Sequence, residues 1–149
     1  MSAAVSVFVN PDDQIVVRIG EDTRTGDTWY LGLQRGQDMS DDRDVRALVR
    51  RLIRTWIDVL STMQNGEITW LPFDFSDEFT RWIACSCDNR RIALRFGWSP
   101  VEGWAVDPYD ASGFARAGQD FHLDVAAAND TSLYRPYLLS RLRSCMCRL

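Results

Sequence analysis

The chain has 149 residues, of which 46% are hydrophobic and 26% are charged, a length and balance typical of one globular domain. This composition excludes a disordered tail, a collagen-like repeat and a coiled-coil rod, and no apolar run reaches the roughly 18 residues of a membrane span. The net charge is −4 and all 17 basic residues are arginine, which excludes mechanisms that need a lysine, such as a Walker-A phosphate loop or a Schiff base.

The first part of the chain predicts three antiparallel strands. Residues 4–9 and 14–19 alternate apolar and polar side chains, and the segment between them, 10–13 (NPDD), has the residue types that form tight turns. Residues 28–34 (TWYLGLQ) alternate in the same way and predict the third strand.

Residues 41–63 predict the longest helix of the chain, because their apolar side chains recur every three or four positions. Ser40 or Asp41 is placed to cap its first turn, and Gly66 to end it. The opposite face carries a stripe of arginines: Arg43, Arg46, Arg50 and Arg54. Such a stripe is typical of the solvated back of an amphipathic helix, or of a surface that contacts nucleic acid or an acidic partner.

The second half of the chain predicts further strands and a final helix. The strands are expected at 67–75, 80–87 and 91–98, with shorter ones at 103–107 and 120–126. Pro72 cannot donate to a ladder hydrogen bond, so the first of them is expected at a sheet edge or at a bulge. A loop over 108–118 and a helix that begins at Ser132 complete the chain.

Together these elements predict a single α+β domain over residues 1–149. Its framework is an antiparallel sheet of about six to seven strands, with one long central helix and a C-terminal helix. No internal repeat or linker divides the chain.

The four cysteines form two C-x-C pairs, Cys85/Cys87 and Cys145/Cys147. Zinc sites commonly use C-x2-C pairs in turns, whereas these pairs lie in a predicted strand and a predicted helix. The pattern favours two small buried side chains in the strand and a C-terminal pair, and the sequence does not decide whether the four cysteines bind metal or stay as free thiols. Zinc binding and disulfide formation are the alternatives.

The one histidine of the chain, His122, lies beside Asp124 on a predicted strand. A His–Asp pair can orient a general base, but no nucleophile motif accompanies it, so a surface histidine is the favoured interpretation. The sequence therefore predicts no catalytic residue, no metal and no cofactor.

Acidic and aromatic residues concentrate between residues 70 and 110. Tryptophan supplies rigid apolar area in protein interfaces, and carboxylates at the rim steer a basic partner. The alternatives are that the tryptophans fill the core, or that the carboxylates of residues 74–110 line the cleft of a small enzyme or ligand-binding domain. The candidate partner-binding residues are Asp74, Asp77, Glu78, Trp98, Glu102 and Trp104.

Residues 71–83 (LPFDFSDEFTRWI) and 97–104 (GWSPVEGW) resemble segments of short acidic bacterial proteins of unknown function. In size, acidity, tryptophan content and α+β layout the chain is also similar to immunity proteins of bacterial polymorphic toxins. The resemblance implies a non-enzymatic cytoplasmic protein that neutralises a basic toxin domain by occluding its active site. It carries over no functional residue by position.

Two other function classes stay open. One is the small enzyme or ligand-binding domain, and the other is a nucleic-acid adaptor that uses the arginine-striped helix. The acidic composition disfavours nucleic acid, because phosphate backbones bind basic surfaces. The sequence predicts no membrane partner and does not decide the oligomeric state.

Overall fold

A computed structural model describes residues 5–32, 44–124 and 131–149. Within these residues the chain is an α+β fold with two antiparallel sheets, of three and five strands. The three-stranded sheet runs in chain order and consists of β1 (Val5–Val9), β2 (Ile15–Ile19) and β3 (Asp22–Gly26).

The five-stranded sheet follows the first helix, α1 (Val45–Thr62). Its strands are β4 (Ile68–Phe75), β5 (Thr80–Asp88), β6 (Arg91–Ser99), β7 (His122–Leu123) and β8 (Thr131–Tyr134). The order is β4-β5-β6, and β7 and β8 both pair with β6. The second helix, α2 (Arg135–Arg148), packs against α1 and β1.

One hydrophobic core joins the two sheets and the helices. The alternating side chains of β1 and β2 are buried, as the period-two pattern predicts. Helix α1 buries the apolar stripe that its 3.6-residue period places on one side, including Leu52, Trp56 and Leu60. The side chain of Asp44 caps α1 by accepting a hydrogen bond from the Ala47 backbone N–H at 3.2 Å. The predicted caps Ser40 and Asp41 lie outside the described residues.

The prediction of one sheet with six to seven strands is wrong, because the strands form two sheets. The chain approaches β4 closely at the end of β3, where a Cβ atom on Gly26 would lie 2.0 Å from the Phe73 carbonyl oxygen. No ladder forms there, since Pro72 has no N–H and the register of β4 shifts between Pro72 and Asp74. The expected bulge at Pro72 on an edge strand is confirmed.

The third predicted strand, 28–34, is wrong in its described part, because Trp29–Gly32 forms a 3-10 helix. The Asp27 side chain accepts a hydrogen bond from the Trp29 backbone N–H at 2.7 Å. This Asx turn bends the chain where the sequence pattern predicts an extended strand. The third strand of the small sheet is β3 instead.

Four predictions for the second half also need correction. Residues Gly103–Ala105 form a 3-10 turn rather than the predicted strand 103–107, and Ala111–Gln119 forms a 3-10 helix within the predicted loop 108–118. The C-terminal helix begins at Arg135 rather than Ser132, since Thr131–Tyr134 pairs with β6 first. The strand expected at 120–126 covers His122–Leu123, and residues 125 and 126 lie outside the described part.

Candidate functional site

Two of the candidate residues, Asp74 and Trp98, lie in one row across the five-stranded sheet with Arg81 between them. Asp74 on β4 lies opposite Arg81 on β5, and Arg81 lies opposite Trp98 on β6. The carboxylate Oδ2 of Asp74 is 3.5 Å from Arg81 Nε, and only 13% of the Asp74 side chain is exposed. The charge of Asp74 is therefore partly covered and partly neutralised by a neighbouring guanidinium.

Asp74 also joins the two sheets. Its Oδ1 accepts a hydrogen bond from the Asp27 backbone N–H at 2.8 Å, directly after the end of β3. Burial raises the pKa of the Asp74 carboxyl, and the hydrogen bond from Asp27 and the Arg81 charge only partly oppose this shift. Asp74 is thus held in place by the fold, whereas a rim carboxylate would be surrounded by water.

Asp77 and Glu78 are exposed in the turn that connects β4 to β5. The turn is closed by a hydrogen bond of 3.0 Å from the Ser76 backbone N–H to the Phe79 carbonyl oxygen. The Asp77 carboxylate accepts a hydrogen bond from the Tyr30 hydroxyl, and this bond raises the pKa of Tyr30. Both carboxylates of the turn therefore face solvent, and one of them is oriented by a tyrosine.

Glu102 and Trp104 are brought beside this turn by Gly103. The Gly103 backbone N–H donates to the Ser76 carbonyl oxygen at 2.7 Å. A Cβ atom at Gly103 would lie 2.6 Å from the Phe75 carbonyl carbon, so the close approach of the two backbones requires glycine. Glu102 is exposed, and 62% of Trp104 is exposed.

Trp98 is exposed to 41% and stacks on His122, with ring centroids 4.4 Å apart and an interplanar angle of 15°. His122 Nε2 lies 3.5 Å from Asp120 Oδ1. Asp124 binds Arg24 instead, at 2.8 Å. The alternative His122–Asp124 pair does not form, because the Arg24 guanidinium binds the Asp124 carboxylate, and His122 is the exposed surface histidine that the sequence favours.

The six candidate residues thus meet at one end of the five-stranded sheet, where β4 and β6 finish and β5 begins. We call this region the acidic end; its members are Asp74, Asp77, Glu78, Trp98, Glu102 and Trp104. Four of the six come from turns or 3-10 structure adjacent to the strands, and two come from the strands themselves. Trp98 and Trp104 are exposed, whereas Trp56 and Trp82 fill the core.

A cleft of about 390 Å³ opens beside the acidic end, and only two of its eight lining residues, Asp74 and Asp77, are among the candidates from the sequence. We call it the acidic cleft; its lining is Asp27, Trp29, Tyr30, Asp74, Phe75, Ser76, Asp77 and Phe79. Trp29 is 59% exposed, although its place in a predicted strand indicates a core residue. The available signal was Asp27, an Asx-turn residue two positions before Trp29.

A second cavity, of about 180 Å³, includes Arg81 and Trp98 in its lining. Arg24 lies over the Phe96 ring, 4.9 Å from its centroid, while its guanidinium binds Asp124. The charges of this cavity are thus paired within the protein, and the charges of the acidic cleft are compensated less fully.

The arginine stripe of α1 is not a uniform basic face. Arg50 donates hydrogen bonds to the carbonyl oxygens of Met146 and Leu149, so it holds the end of α2. Arg46 and Arg54 are exposed, and Arg43 lies outside the described residues.

The described cysteines are free thiols. Cys85, Cys87 and Cys145 are buried and Cys147 is exposed. Burial raises the pKa of the Cys85 thiol, which keeps it protonated and unreactive. In the described ranges, no group of three His, Cys, Asp or Glu side chains is arranged to hold a metal ion.

Neither of the two described α-helices is long and apolar enough to cross a lipid bilayer. The chain matches no model of a known protein family, no curated protein and no solved structure. The arguments for function below therefore depend on the residues themselves.

Proposed function

We propose that the protein is a non-enzymatic binding domain whose acidic end contacts a basic protein partner. One observation carries this proposal: the exposed carboxylates of the 76–79 turn and of Glu102 lie with the exposed indole of Trp104 at one end of the sheet. The exposed carboxylates would attract a basic surface over a distance of about 8–10 Å at physiological salt. The exposed indoles would then anchor the contact by burying apolar area.

In this proposal the carboxylates and the tryptophans act on different steps of binding. Asp77, Glu78 and Glu102 are exposed and supply the field that speeds association. Trp104 has more than half of its surface available for burial, so its truncation is expected to act on dissociation. Asp74 contributes less, because Arg81 already offsets its charge.

The sharper form of the proposal is an immunity protein of the bacterial cytoplasm. A toxin that acts on an anionic substrate needs a cationic active site, and the acidic end would cover such a site by charge and shape. Neutralisation would then be steric and electrostatic, with no chemical step.

A small-ligand domain is the second candidate, and the acidic cleft favours it. Its volume lies within the range of small-molecule sites, about 300–1,000 Å³. A catalytic role is disfavoured because each aspartate of the cleft accepts a hydrogen bond from the protein with one of its oxygens; these are Asp27, Asp74 and Asp77.

The proposal is tested by selecting a phage-displayed random peptide library on the purified protein. We expect the selected peptides to be rich in arginine and lysine. They should lose at least about tenfold in affinity for an acidic-end variant that carries Asp77→Arg, Glu78→Arg and Glu102→Arg. Asp74 is left unchanged because its loss would disturb the contact between the two sheets.

The matched control reverses three exposed acids elsewhere: Glu21→Arg, Asp58→Arg and Asp88→Arg. It has the same net charge as the acidic-end variant, so it separates a local surface from overall charge. Peptides that bind both variants equally, or selected peptides without basic residues, would refute the proposal. Circular dichroism of both variants verifies that they fold.

A further inference from the structure

We infer that the acidic cleft is the pocket for one arginine side chain of the partner, an assignment that rests on the proposed function and names the group that is recognised. The cleft lies beside the acidic end and shares Asp74 and Asp77 with it. Its lining combines carboxylates with the exposed indole of Trp29 and the half-buried rings of Tyr30 and Phe79. This combination matches a planar cation better than a point charge.

Two carboxylates of the cleft each use one oxygen in a hydrogen bond within the protein and keep the other oxygen as an acceptor. Asp27 Oδ1 accepts from the Trp29 backbone N–H at 2.7 Å, and Asp77 Oδ1 accepts from the Tyr30 hydroxyl. Among the described residues, no hydrogen-bond donor contacts Oδ2 of either carboxylate. Each carboxylate is thus oriented by the protein and keeps an acceptor for a ligand, so little side-chain entropy is lost when the ligand binds.

The charge of the cleft is also unbalanced. Three aspartates line it, and among the described residues only Asp74 has an ion-pair partner, the Arg81 guanidinium. Asp27 and Asp77 therefore hold negative charge that an incoming cation would neutralise. A partly enclosed site makes this attraction stronger than it would be on an open surface.

The aromatic walls favour guanidinium over ammonium. Trp29 and Tyr30 contact the two oriented carboxylates through hydrogen bonds, and Phe79 also lines the cleft. The same protein already places guanidinium groups on aromatic rings, with Arg51 at 4.1 Å from the Tyr109 centroid and Arg81 at 5.6 Å from that of Phe79. A guanidinium can stack on such a ring and bind carboxylates in its plane, which an ammonium group cannot do.

The probe for this inference is N-acetyl-arginine amide, titrated into the isotope-labelled protein and followed by the backbone amide signals of residues 76–79. We expect saturable shifts with a dissociation constant on the order of millimolar, as the size of the probe allows. N-acetyl-citrulline amide has nearly the same shape without the charge and should cause no saturable shift. Equal binding of citrulline, or no saturable binding of arginine, overturns the inference, and equal binding of N-acetyl-lysine amide overturns the preference for guanidinium.

Two tryptophans of matched exposure locate the site. Trp29→Ala should weaken arginine binding by about fivefold or more, since it removes the stacking surface. Trp104→Ala removes an equally exposed indole outside the cleft, at 62% against 59%, and should leave the affinity unchanged. Asp77→Asn keeps an acceptor for Tyr30, removes the charge, and should also weaken binding. Equal effects of the two tryptophan substitutions would show that the site is not the cleft.

The result is separable from that of the peptide selection. Suppose that the protein binds N-acetyl-arginine amide and that the acidic-end variant still binds the selected peptides. The cleft is then a pocket for a free guanidinium ligand, and the acidic end is not the partner surface. Loss of peptides with no arginine binding refutes the cleft and leaves the partner surface standing.

Discussion

The two ends of the five-stranded sheet use their charged side chains in opposite ways. At the end where β5 finishes and β6 begins, arginines reach backbone acceptors: Arg135 donates to the Met63 carbonyl oxygen at 2.7 Å, and Arg91 to that of Ser132 at 2.6 Å. At the acidic end, Glu78 and Glu102 make no contact with an arginine within the described part of the chain. Charged side chains therefore hold the first end together, whereas at the second end Glu78 and Glu102 have no ion-pair partner among the described residues.

Hydrogen-bonding chemistry explains why the two ends differ. A guanidinium is a long donor that can bind carbonyl oxygens, which have spare lone pairs even inside a sheet. An ionised carboxylate can only accept, and the backbone N–H groups inside a sheet are already used in its ladders. Asp27 and Asp74 accept from backbone N–H groups that follow the end of β3, those of Trp29 and Asp27.

Truncation of Trp82, which is fully buried next to the acidic end, should have the largest effect on stability. Its side chain packs edge-on against Phe114, and its Nε1–H donates to Ser99 Oγ at 2.8 Å. Trp82→Ala should lower the free energy of unfolding by about 3–5 kcal/mol in urea denaturation. Trp82→Phe should cost less, because it keeps most of the apolar contact. A loss below about 1 kcal/mol for the alanine variant would mean that this core does not support the acidic end.

Removal of the Arg135 guanidinium tests the opposite end. Arg135→Met keeps the apolar stem but removes the hydrogen bonds to the Met63 carbonyl oxygen and to Cys87 Sγ. We expect a loss of about 1.5–3 kcal/mol in the free energy of unfolding, the usual range for charged hydrogen bonds. Arg143→Met, an exposed position on the same helix, serves as the control and should stay within about 0.5 kcal/mol of wild type. An equal loss in the free energy of unfolding for Arg135→Met and Arg143→Met would show that the hydrogen bonds of Arg135 do not hold this end of the sheet together.

The pH dependence of stability should reveal the partial burial of Asp74. Its pKa is raised in the folded protein, so the folded state holds this proton more tightly than the unfolded state does. Above the folded-state pKa of Asp74, the buried charge lowers the free energy of unfolding by its full cost. As the pH falls from the folded-state pKa towards the unfolded-state pKa, the folded protein takes up the proton and the free energy of unfolding rises. The Asp74→Asn side chain can still accept from the Asp27 N–H and has no such dependence.

The stability of the Asp74→Asn variant relative to wild type should therefore be greatest near neutral pH and should decline as the pH falls. Urea denaturation at several pH values measures this difference. Asp88→Asn, at an exposed position, is the control and should show no comparable trend. A difference that grows on acidification would show that the Arg81 charge outweighs burial.

Neutralisation of the exposed acids should have the smallest effect on folding. Asp77→Asn, Glu78→Gln and Glu102→Gln are expected to change the free energy of unfolding by less than about 0.5 kcal/mol each. The same variants should bind the selected basic peptides more weakly, because the steering charge is gone. A large loss of stability here would show that the acidic end is a structural element, as the arginine end is.

Much of the framework could be predicted because burial repeats with the period of the backbone. The two strands around the 10–13 turn, the three around 67–98 and the helix α1 each keep an apolar face over several repeats. Short elements carry no such repeat. The 3-10 turns at Trp29–Gly32 and Gly103–Ala105 depend on one side-chain hydrogen bond or one close backbone contact, which periodicity does not register.

The candidate site was predictable only where its residues are close in sequence. Asp77, Glu78 and Glu102 were selected by composition, and the hydrogen bond between Gly103 and Ser76 places them together. Trp29 and Tyr30 lie more than forty residues earlier in the sequence, and their pattern predicts a strand. Only the contact between the end of β3 and β4 brings them to Asp74 and Asp77.

The sequence by itself determined the α+β class, the antiparallel pairing of its long strands and the acidity and tryptophan content of the region that we propose as a binding surface. Each of these follows from local composition or from a repeat of side-chain burial. The tertiary structure decided the division into two sheets, which tryptophans are buried, which carboxylates are already paired, and the existence of the acidic cleft. Those properties depend on contacts between residues distant in the chain, and such contacts form only when the hydrophobic core brings the segments together.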